Sequence, residues 1–468
     1  MTDAASSWSE LFERRNATAL VTLSLGVALH AFNGFLVATA LPTAVIEIGG
    51  VQLLSWAFTV YLVFAIIGGA GAARLKQMAG GRQAMIVSAL VFLAGTLIAG
   101  MAPSMPVLLA GRALQGVGEG VISALCYILI PELFPSRLIA RVFGVEAMVW
   151  ALGAFGGPLI SGVLTEALSW RMAFFVNVPV VALFLILVVR VVPPDASVPE
   201  AKAKAVPLGR LAGCAIGIMM VAVAAISGDV GAASLLILSA LAILVGVFVA
   251  DRRRPDRLFP SDAFAFTTTV GAGLWMILLM PIAHASSSVY LNITIQHLWG
   301  YGPTVAGFVH AMMALSWSGS ALIFAGIDDP GRRLVLIRLG PVLIVAGLLG
   351  TVLAIAYDMP RALLPCQIVI GTGFGGNWAF LSQAIMEAAR PGERDAATTM
   401  LQVVLSSGFA LGSAIAGLVA NLAGFAPTAG AEAIVGPIAL ALAVGAGLGT
   451  FGILAGFGVR LPRPAPSR

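Results

Sequence analysis

Charge is scarce in this chain of 468 residues: Asp, Glu, Lys and Arg make up 10%, against roughly 25% in a soluble domain. Apolar residues make up 59%, and the mean hydropathy is +1.01. Too little charge remains to cover a water-facing surface. That excludes a soluble enzyme, a nucleic-acid binder and a disordered chain. Cysteine is scarce as well. Cys126, Cys214 and Cys366 each sit inside an apolar run, with no Cys-x-x-Cys and no Cys/His ligand spacing. Neither a disulfide framework nor a metal site is expected. No ABC-type nucleotide motif, Gly-x-Ser-x-Gly or His-Glu-x-x-His occurs. Residues 371–376 fit Gly-x-Gly-x-x-Gly in letters only, since no strand precedes them. No cofactor is implied, so energy has to come from an ion gradient or from the substrate's own gradient.

What the chain does have is long apolar runs, and a helix needs roughly 20 such residues to cross a bilayer. They lie at 17–41, 51–73, 84–102, 105–130, 138–164, 172–192, 208–226, 232–250, 264–296, 303–325, 334–356, 360–385, 395–420 and 434–459, fourteen in all. Runs this long and continuous predict helices, not a barrel. The first follows Arg14 and Arg15, is too long for a signal-peptide core and lacks a small-residue cleavage site. It is expected to stay as a span. Of the 26 Lys and Arg, 23 fall on the side that holds the N-terminus and two, Arg171 and Arg361, on the other; Arg112 lies inside a run. The positive-inside rule then puts both termini in the cytoplasm and explains the pI near 9.4 through topology.

The halves repeat at an offset of 255. Gly116, Gly118, Gly120, Glu132, Gly153, Gly157 and Gly162 return as Gly371, Gly373, Gly375, Glu387, Gly408, Gly412 and Gly417. Eight spans separate the two copies, so the copies point the same way. Two parallel six-helix bundles are the build of the major facilitator fold, with substrate held at midplane between them. Two helices remain, at 208–250, between linkers 193–207 and 251–263. They are expected to form an inserted hairpin with no buried charge, away from the pathway. The predicted division is an N-terminal bundle 1–192, a linker and hairpin 193–263, and a C-terminal bundle 264–468.

Four stretches resemble the major facilitator superfamily, in its fourteen-helix drug:proton antiporter branch. "SWRMAFFVNVP" (169–179) resembles that branch's signature between helices 5 and 6. "LAGRALQGVGEG" (109–120) is similar to the helix-4 motif, whose Arg the resemblance ties to proton coupling. "GAFGGPLISGVL" (153–164) resembles the Gly-Pro motif of exporters, and "ATALP" (38–42) the end of the helix-1 motif. Two positions depart from the family pattern. Gln77 stands where the loop motif has Asp, and Asn33 stands where the helix-1 motif has Asp, so that position has no reversible proton site.

Buried charge is the most informative signal. Arg112, Gln115, Glu119 and Ser123 recur at i, i+3, i+7 and i+11 on the fourth run and form one polar stripe. A central membrane charge costs about 2.5–3.5 kcal/mol on insertion scales, so it faces a cavity or a partner. Arg112 and Glu119 stand about 10.5 Å apart along a helix axis, so Gln115 or water has to bridge them. The stripe is either a proton-responsive network or a static clamp. Glu146, one turn before Trp150 on the fifth run, is expected at the depth of Glu119. It serves coupling, pairs with Arg141 or turns toward the cytoplasm. His30, one turn before Asn33, titrates in a useful range; it replaces the missing Asp or packs the helix. Coupling is thus assigned to Arg112, Glu119, Glu146 and His30.

In the repeat, Arg112 becomes Gln367, Glu119 becomes Phe374 and Glu146 becomes Leu401. The second half keeps the glycines without the charges, so packing alone does not require them. Substrate contacts are expected from Asn33, Gln115 and Trp150, and from His284, His310, Trp317, Gln367, Phe374 and Trp378. With Met313 these last make a surface that adapts to varied apolar ligands or simply packs helices. Gly153, Gly157, Pro158 and Gly162, with Gly412 in the repeat, are expected to pack tightly across the halves as a seal. Pro158 is expected to bend the fifth run where the repeat has Ser413. The expected protein is a proton-coupled exporter of small amphipathic compounds in a bacterial-type inner (plasma) membrane. It would be a monomer whose partners are a small-molecule substrate, protons and the lipid bilayer, with no nucleic acid and no metal. The alternatives are a dedicated exporter of one metabolite or siderophore-like molecule, and an uptake permease or uniporter.

Overall fold

The computed structural model describes residues 8–194, 208–227, 229–254, 257, 259–327, 329–390 and 393–461. Most of the linker 193–207, with Lys202 and Lys204, and the basic residues Arg463 and Arg468 lie outside them. The described residues hold helices and no strand. In chain order the long helices are α1 (Arg14–Ile48), α2 (Trp56–Ala79), α3 (Gly81–Gly100), α4 (Met105–Leu133), α5 (Ser136–Ala167), α6 (Asn177–Val191) and α7 (Leu208–Ala224). Then come α8 (Val230–Arg252), α9 (Thr269–His297), α10 (Pro303–Phe324), α11 (Pro330–Ala356), α12 (Leu363–Ala388), α13 (Arg394–Leu422) and α14 (Glu432–Gly456). Among the described residues, 12 stretches are long and apolar enough to cross a membrane. Helix α7, with 17 described residues, is not among the 12. Helix α12, which carries Gln367, Thr372, Asn377, Ser382 and Gln383, is not among the 12.

Local chemistry sets the helix ends. Asp229 and Asp329 accept from the backbone N–H of Ala232 and Arg332 and cap α8 and α11. One residue, Gly80, joins α2 to α3 at φ 83°, a conformation that costs glycine little.

The chain forms two compact units, one of residues 1–49 and 64–206, the other of 50–63 and 207–468. In the first, α4 packs on α3, and α1 on α5 and α6. In the second, α12 packs on α11, and α9 on α13 and α14. The internal pairings therefore correspond, and repeat-related glycines make them. A Cβ on Gly118 would stand 2.5 Å from the Phe92 nitrogen, and one on Gly373 2.7 Å from the Gly340 oxygen. In the first unit the signature stretch closes the end of α1: Trp170 donates to Glu47 at 2.8 Å and Arg171 pairs with the same carboxylate.

The hairpin α7–α8 lies against α13. Val221, Ala222 and Ala240 cluster with Ala414, and Ala224, Ala225 and Ala233 with Leu418. The Trp56 indole donates to the Ala222 carbonyl at 3.0 Å, and Asn421 donates to Gln52 and Ala225 carbonyls. The hairpin does hold a buried charge, contrary to expectation. Asp251, in the last turn of α8, is fully buried, pairs with Arg210 and accepts from the Phe259 N–H at 3.0 Å.

Candidate functional site

The polar stripe of α4 points at α1. Glu119 is fully buried and uses both carboxylate oxygens. His30 Nδ1 lies 2.6 Å from Oε1, and Asn33 Nδ2 donates to Oε2 at 2.7 Å. Arg112 donates to Gln115 Oε1 at 2.9 Å. Gln115 Nε2 donates to Thr96 at 2.9 Å and to Asn33 Oδ1 at 3.5 Å. The gap between Arg112 and Glu119 is thus bridged by two amides in series. Those amide orientations follow from the network itself, since each group then has a complementary partner.

Asn33 has a clear physical reason in this setting. Its amide offers Glu119 a donor, where an Asp would place a second carboxylate against the first. His30 can donate to an ionised Glu119 or accept from a protonated one, so the hydrogen bond survives with the proton on either group. The His30 side chain is 19% exposed and Glu119 0%, so the histidine is the more accessible member. Its ring meets Trp150 edge to face at 5.3 Å, and the Trp150 indole donates to the Tyr127 hydroxyl at 3.3 Å.

Glu146 is buried but does not join this network. It accepts from Ser24 at 2.8 Å, while its Oε2 has no hydrogen-bond partner. Arg141 is therefore not its partner. Ser24 precedes His30 by six residues on α1, about 9 Å of helix rise, so the two carboxylates occupy separate places.

In the second unit, Trp317 and Phe374 stack at 4.7 Å, and His284 meets Phe374 edge to face at 5.6 Å and Phe409 at 6.2 Å. His284 is buried, and its Nδ1 has no hydrogen-bond partner. Gln367 donates to Ser287 at 3.3 Å. His310 stands apart, 3.4 Å from Asn292, and Trp378 joins none of these contacts. The sequence reading passed over Thr96, Ser24, Tyr127, Ser287 and Asn292. All are uncharged polar residues inside apolar runs, with no motif or charge spacing to mark them.

The glycines of α5 need one correction. A Cβ on Gly153 would stand 2.7 Å from Ala31 Cβ, and one on Gly157 2.8 Å from Phe35 Cβ. In the other unit a Cβ on Gly412 would meet Ile282 and Ala285 of α9 at 2.7 Å. Each glycine face closes on the first helix of its own unit, where packing across the halves was expected. Gly162 is buried, and α5 runs unbroken through Pro158.

The sequence profile of the Major Facilitator Superfamily matches residues 23–413. A "Probable multidrug-efflux transporter" of Mycobacterium tuberculosis is 32% identical over 441 residues, covering 90% of this chain and 92% of the relative. "Multidrug resistance protein 3" of Bacillus subtilis is 25% identical over 417 residues, covering 85% and 78%. Among solved structures, a POT family transporter in complex with 5-aminolevulinic acid superposes with a TM-score of 0.69 at 14% identity, covering 95% of this chain and 96% of the other. At that identity the likeness concerns the fold alone.

Proposed function

The chain belongs to the Major Facilitator Superfamily, and on that premise we propose that it is a proton-coupled exporter of small amphipathic compounds. The 12 membrane-length apolar helices among the described residues make it a multi-pass membrane protein, in line with the inner membrane of its bacterial relatives, and a transporter rather than an enzyme. The relatives' names support efflux of varied drugs as the activity. In this reading α7 and α12 complete fourteen spans, both termini face the cytoplasm, and the hairpin interrupts two six-helix bundles divided at 1–192, 193–263 and 264–468. The protein acts as a monomer by alternating access.

The observation that carries the proposal is Glu119, buried and bonded to His30 and Asn33. A carboxylate in this position has a titratable partner on another helix and a route outward through the more exposed histidine. Protonation of Glu119 turns its Oε1 from acceptor to donor and changes what α4 asks of α1. Arg112 and Gln115 hold the stripe in place. The aromatic cluster of Trp317, Phe374 and His284 suits apolar and aromatic substrates.

The test uses purified protein in proteoliposomes with a permanently charged aromatic cation, which does not partition with pH. Accumulation in vesicles acidic inside supports proton antiport. Accumulation in vesicles acidic outside means symport, and transport indifferent to the gradient means uniport; either sinks the proposal.

A further inference from the structure

The chain's densest basic stretch lies at the end of the hairpin, with Arg252, Arg253, Arg254 and Arg257 within six residues. All four are exposed. Between the ends of α7 and α8 runs an open groove of about 370 Å³ lined by Gly209, Arg210, Ala250 and Arg254. Two small residues create it. A Cβ on Gly209 would meet nothing within 4 Å, and Ala250 is exposed. Of the acids nearby, Asp251 is buried against Arg210 and the Phe259 N–H, and Glu393 accepts from Ser261; Asp262 keeps one oxygen without a hydrogen-bond partner, and none of the three lines the groove. Asp256 lies in the same stretch, outside the described residues, and the stretch remains net positive with it.

The surroundings fix the level of this groove in a bilayer. Leu238, Leu241, Val245 and Val249 are exposed along α8 up to the level of Ala250. Phe248, Phe259, Phe264, Phe266 and Trp275 cluster beside it, with the Trp275 indole bonded to the Phe264 carbonyl at 2.8 Å. An aromatic cluster with a Trp at the end of an apolar span marks the headgroup layer. A basic cluster directly beyond a span attracts anionic lipid.

We propose that this groove binds an anionic phospholipid, with the headgroup phosphate against Arg254 and Arg253 and an acyl chain along the exposed face of α8. Arg210, held by Asp251, forms the wall beside the headgroup. The small side chains at 209 and 250 are what leave room for it. A zwitterionic lipid has the same chains and lacks the net charge, so charge sets the preference.

The experiment measures lipid binding to the purified full-length chain in detergent by native mass spectrometry. It compares phosphatidylglycerol with phosphatidylcholine of identical chains, and adds inorganic phosphate as competitor. The wild type is expected to prefer phosphatidylglycerol, and Arg254→Gln to lose about fivefold of that preference, the factor that one interfacial arginine contributes. Ala250→Leu, at an exposed position, fills the groove without touching charge and is expected to lose it too. If Arg254→Gln is not monodisperse, Ala250→Leu and Arg254→Lys carry the test, with Lys retaining the preference. Equal binding of the two lipids by the wild type overturns the proposal. So does an unchanged preference in Ala250→Leu. Displacement of phosphatidylglycerol by equimolar inorganic phosphate shows an anion site and no lipid site, and overturns it as well.

Discussion

His284 lies against Phe374 much as His30 lies against Glu119. The ring centroids of the first pair are 5.6 Å apart, edge to face, and the second pair is hydrogen-bonded at 2.6 Å. Phe374 is the offset-255 counterpart of Glu119, and His284 falls one residue short of the same offset from His30. The two units thus build the same helix contact, first helix to fourth, with opposite chemistry. One contact is a carboxylate hydrogen-bonded to an imidazole, which in the proposed function holds the coupling proton; the other offers an aromatic edge and a stack. The neighbouring positions follow suit: Asn33 and Arg112 belong to the polar chain of the first unit, and Ser287 and Gln367 make a single hydrogen bond in the second.

Glu119→Gln is the direct test of the polar contact. The amide keeps an acceptor for Asn33 and removes the proton site. Transport driven by an imposed pH gradient is expected to disappear, while exchange of labelled for unlabelled substrate continues. Driven transport at the wild-type rate shows that Glu119 is not the coupling group.

Asn33→Asp returns the residue that the family's helix-1 motif carries. It also removes the donor that now meets Glu119 Oε2 at 2.7 Å. Two carboxylates at that separation share a proton, because both do not ionise together. The pH profile of transport is expected to gain a second transition, measured as initial rate against pH at fixed gradient. A profile that overlays the wild type means that Asn33 and Glu119 do not communicate.

Much of this was legible in the sequence because membranes make polarity expensive. Arg112, Gln115 and Glu119 stood out at helical spacing in an apolar run, and axial distance called for a bridge by Gln115 or water, which the structure makes with Gln115 and Asn33. The glycine repeat announced the matching internal packing of the two units. What the sequence withheld was rotation about each helix axis. Spacing shows that Gly153 and Gly157 share a face, but not which neighbour that face meets, and the neighbour is α1. Nor does Glu146 share the depth of Glu119 as expected: it meets Ser24, about 9 Å of helix rise along α1 from the His30 that meets Glu119. Asp251 escaped notice because its partner Arg210 lies 41 residues earlier, at the other end of the hairpin.

Gly157→Val puts branched carbons where Phe35 Cβ would already be 2.8 Å from a single Cβ. Overpacking of this kind costs about 1–3 kcal/mol. The variant is expected to melt several degrees lower in detergent. Gly144→Ala, where nothing lies within 4 Å, is expected to match the wild type. Equal melting of Gly157→Val and wild type shows that α5 does not close on α1 as described.

Removing the hairpin strips cover from Leu411, Ala414, Ile415 and Leu418 of α13 and takes away the acceptor of the Trp56 indole. Replacement of residues 208–252 by a polar linker is expected to lower yield and melting temperature but leave measurable transport in proteoliposomes. Trp56→Phe keeps the bulk and loses only the hydrogen bond, worth about 0.5–1.5 kcal/mol. It is expected to give a smaller loss of stability. A fully folded deletion with no transport places the hairpin in the pathway.

Glu146 decides whether the first unit carries one proton site or two. Its carboxylate is buried, accepts from Ser24 through one oxygen and leaves the other without a partner. Among the described residues Ser24 of α1 and Cys126 and Tyr127 of α4 interact with it, and no cation pairs with it. An unpaired charge in that setting is costly, whereas a protonated acid is tolerated. Glu146→Gln retains an acceptor for Ser24 and removes the ionisable group; Glu146→Leu also leaves the Ser24 hydroxyl unpaired, at about 1–3 kcal/mol. If the residue is structural, Gln is expected to transport normally and Leu to melt lower. If it carries a proton, Gln is expected to fold as well as wild type while the number of protons exchanged per substrate falls. The deciding measurement is the reversal potential of substrate flux against a graded pH difference, which reads stoichiometry directly. Because Glu146 and Glu119 face different partners on α1, we expect the second outcome, with a Glu119→Gln, Glu146→Gln double variant losing coupling altogether. A reversal potential in Glu146→Gln identical to wild type leaves Glu119 as the only proton site in that pair and ends the two-site account.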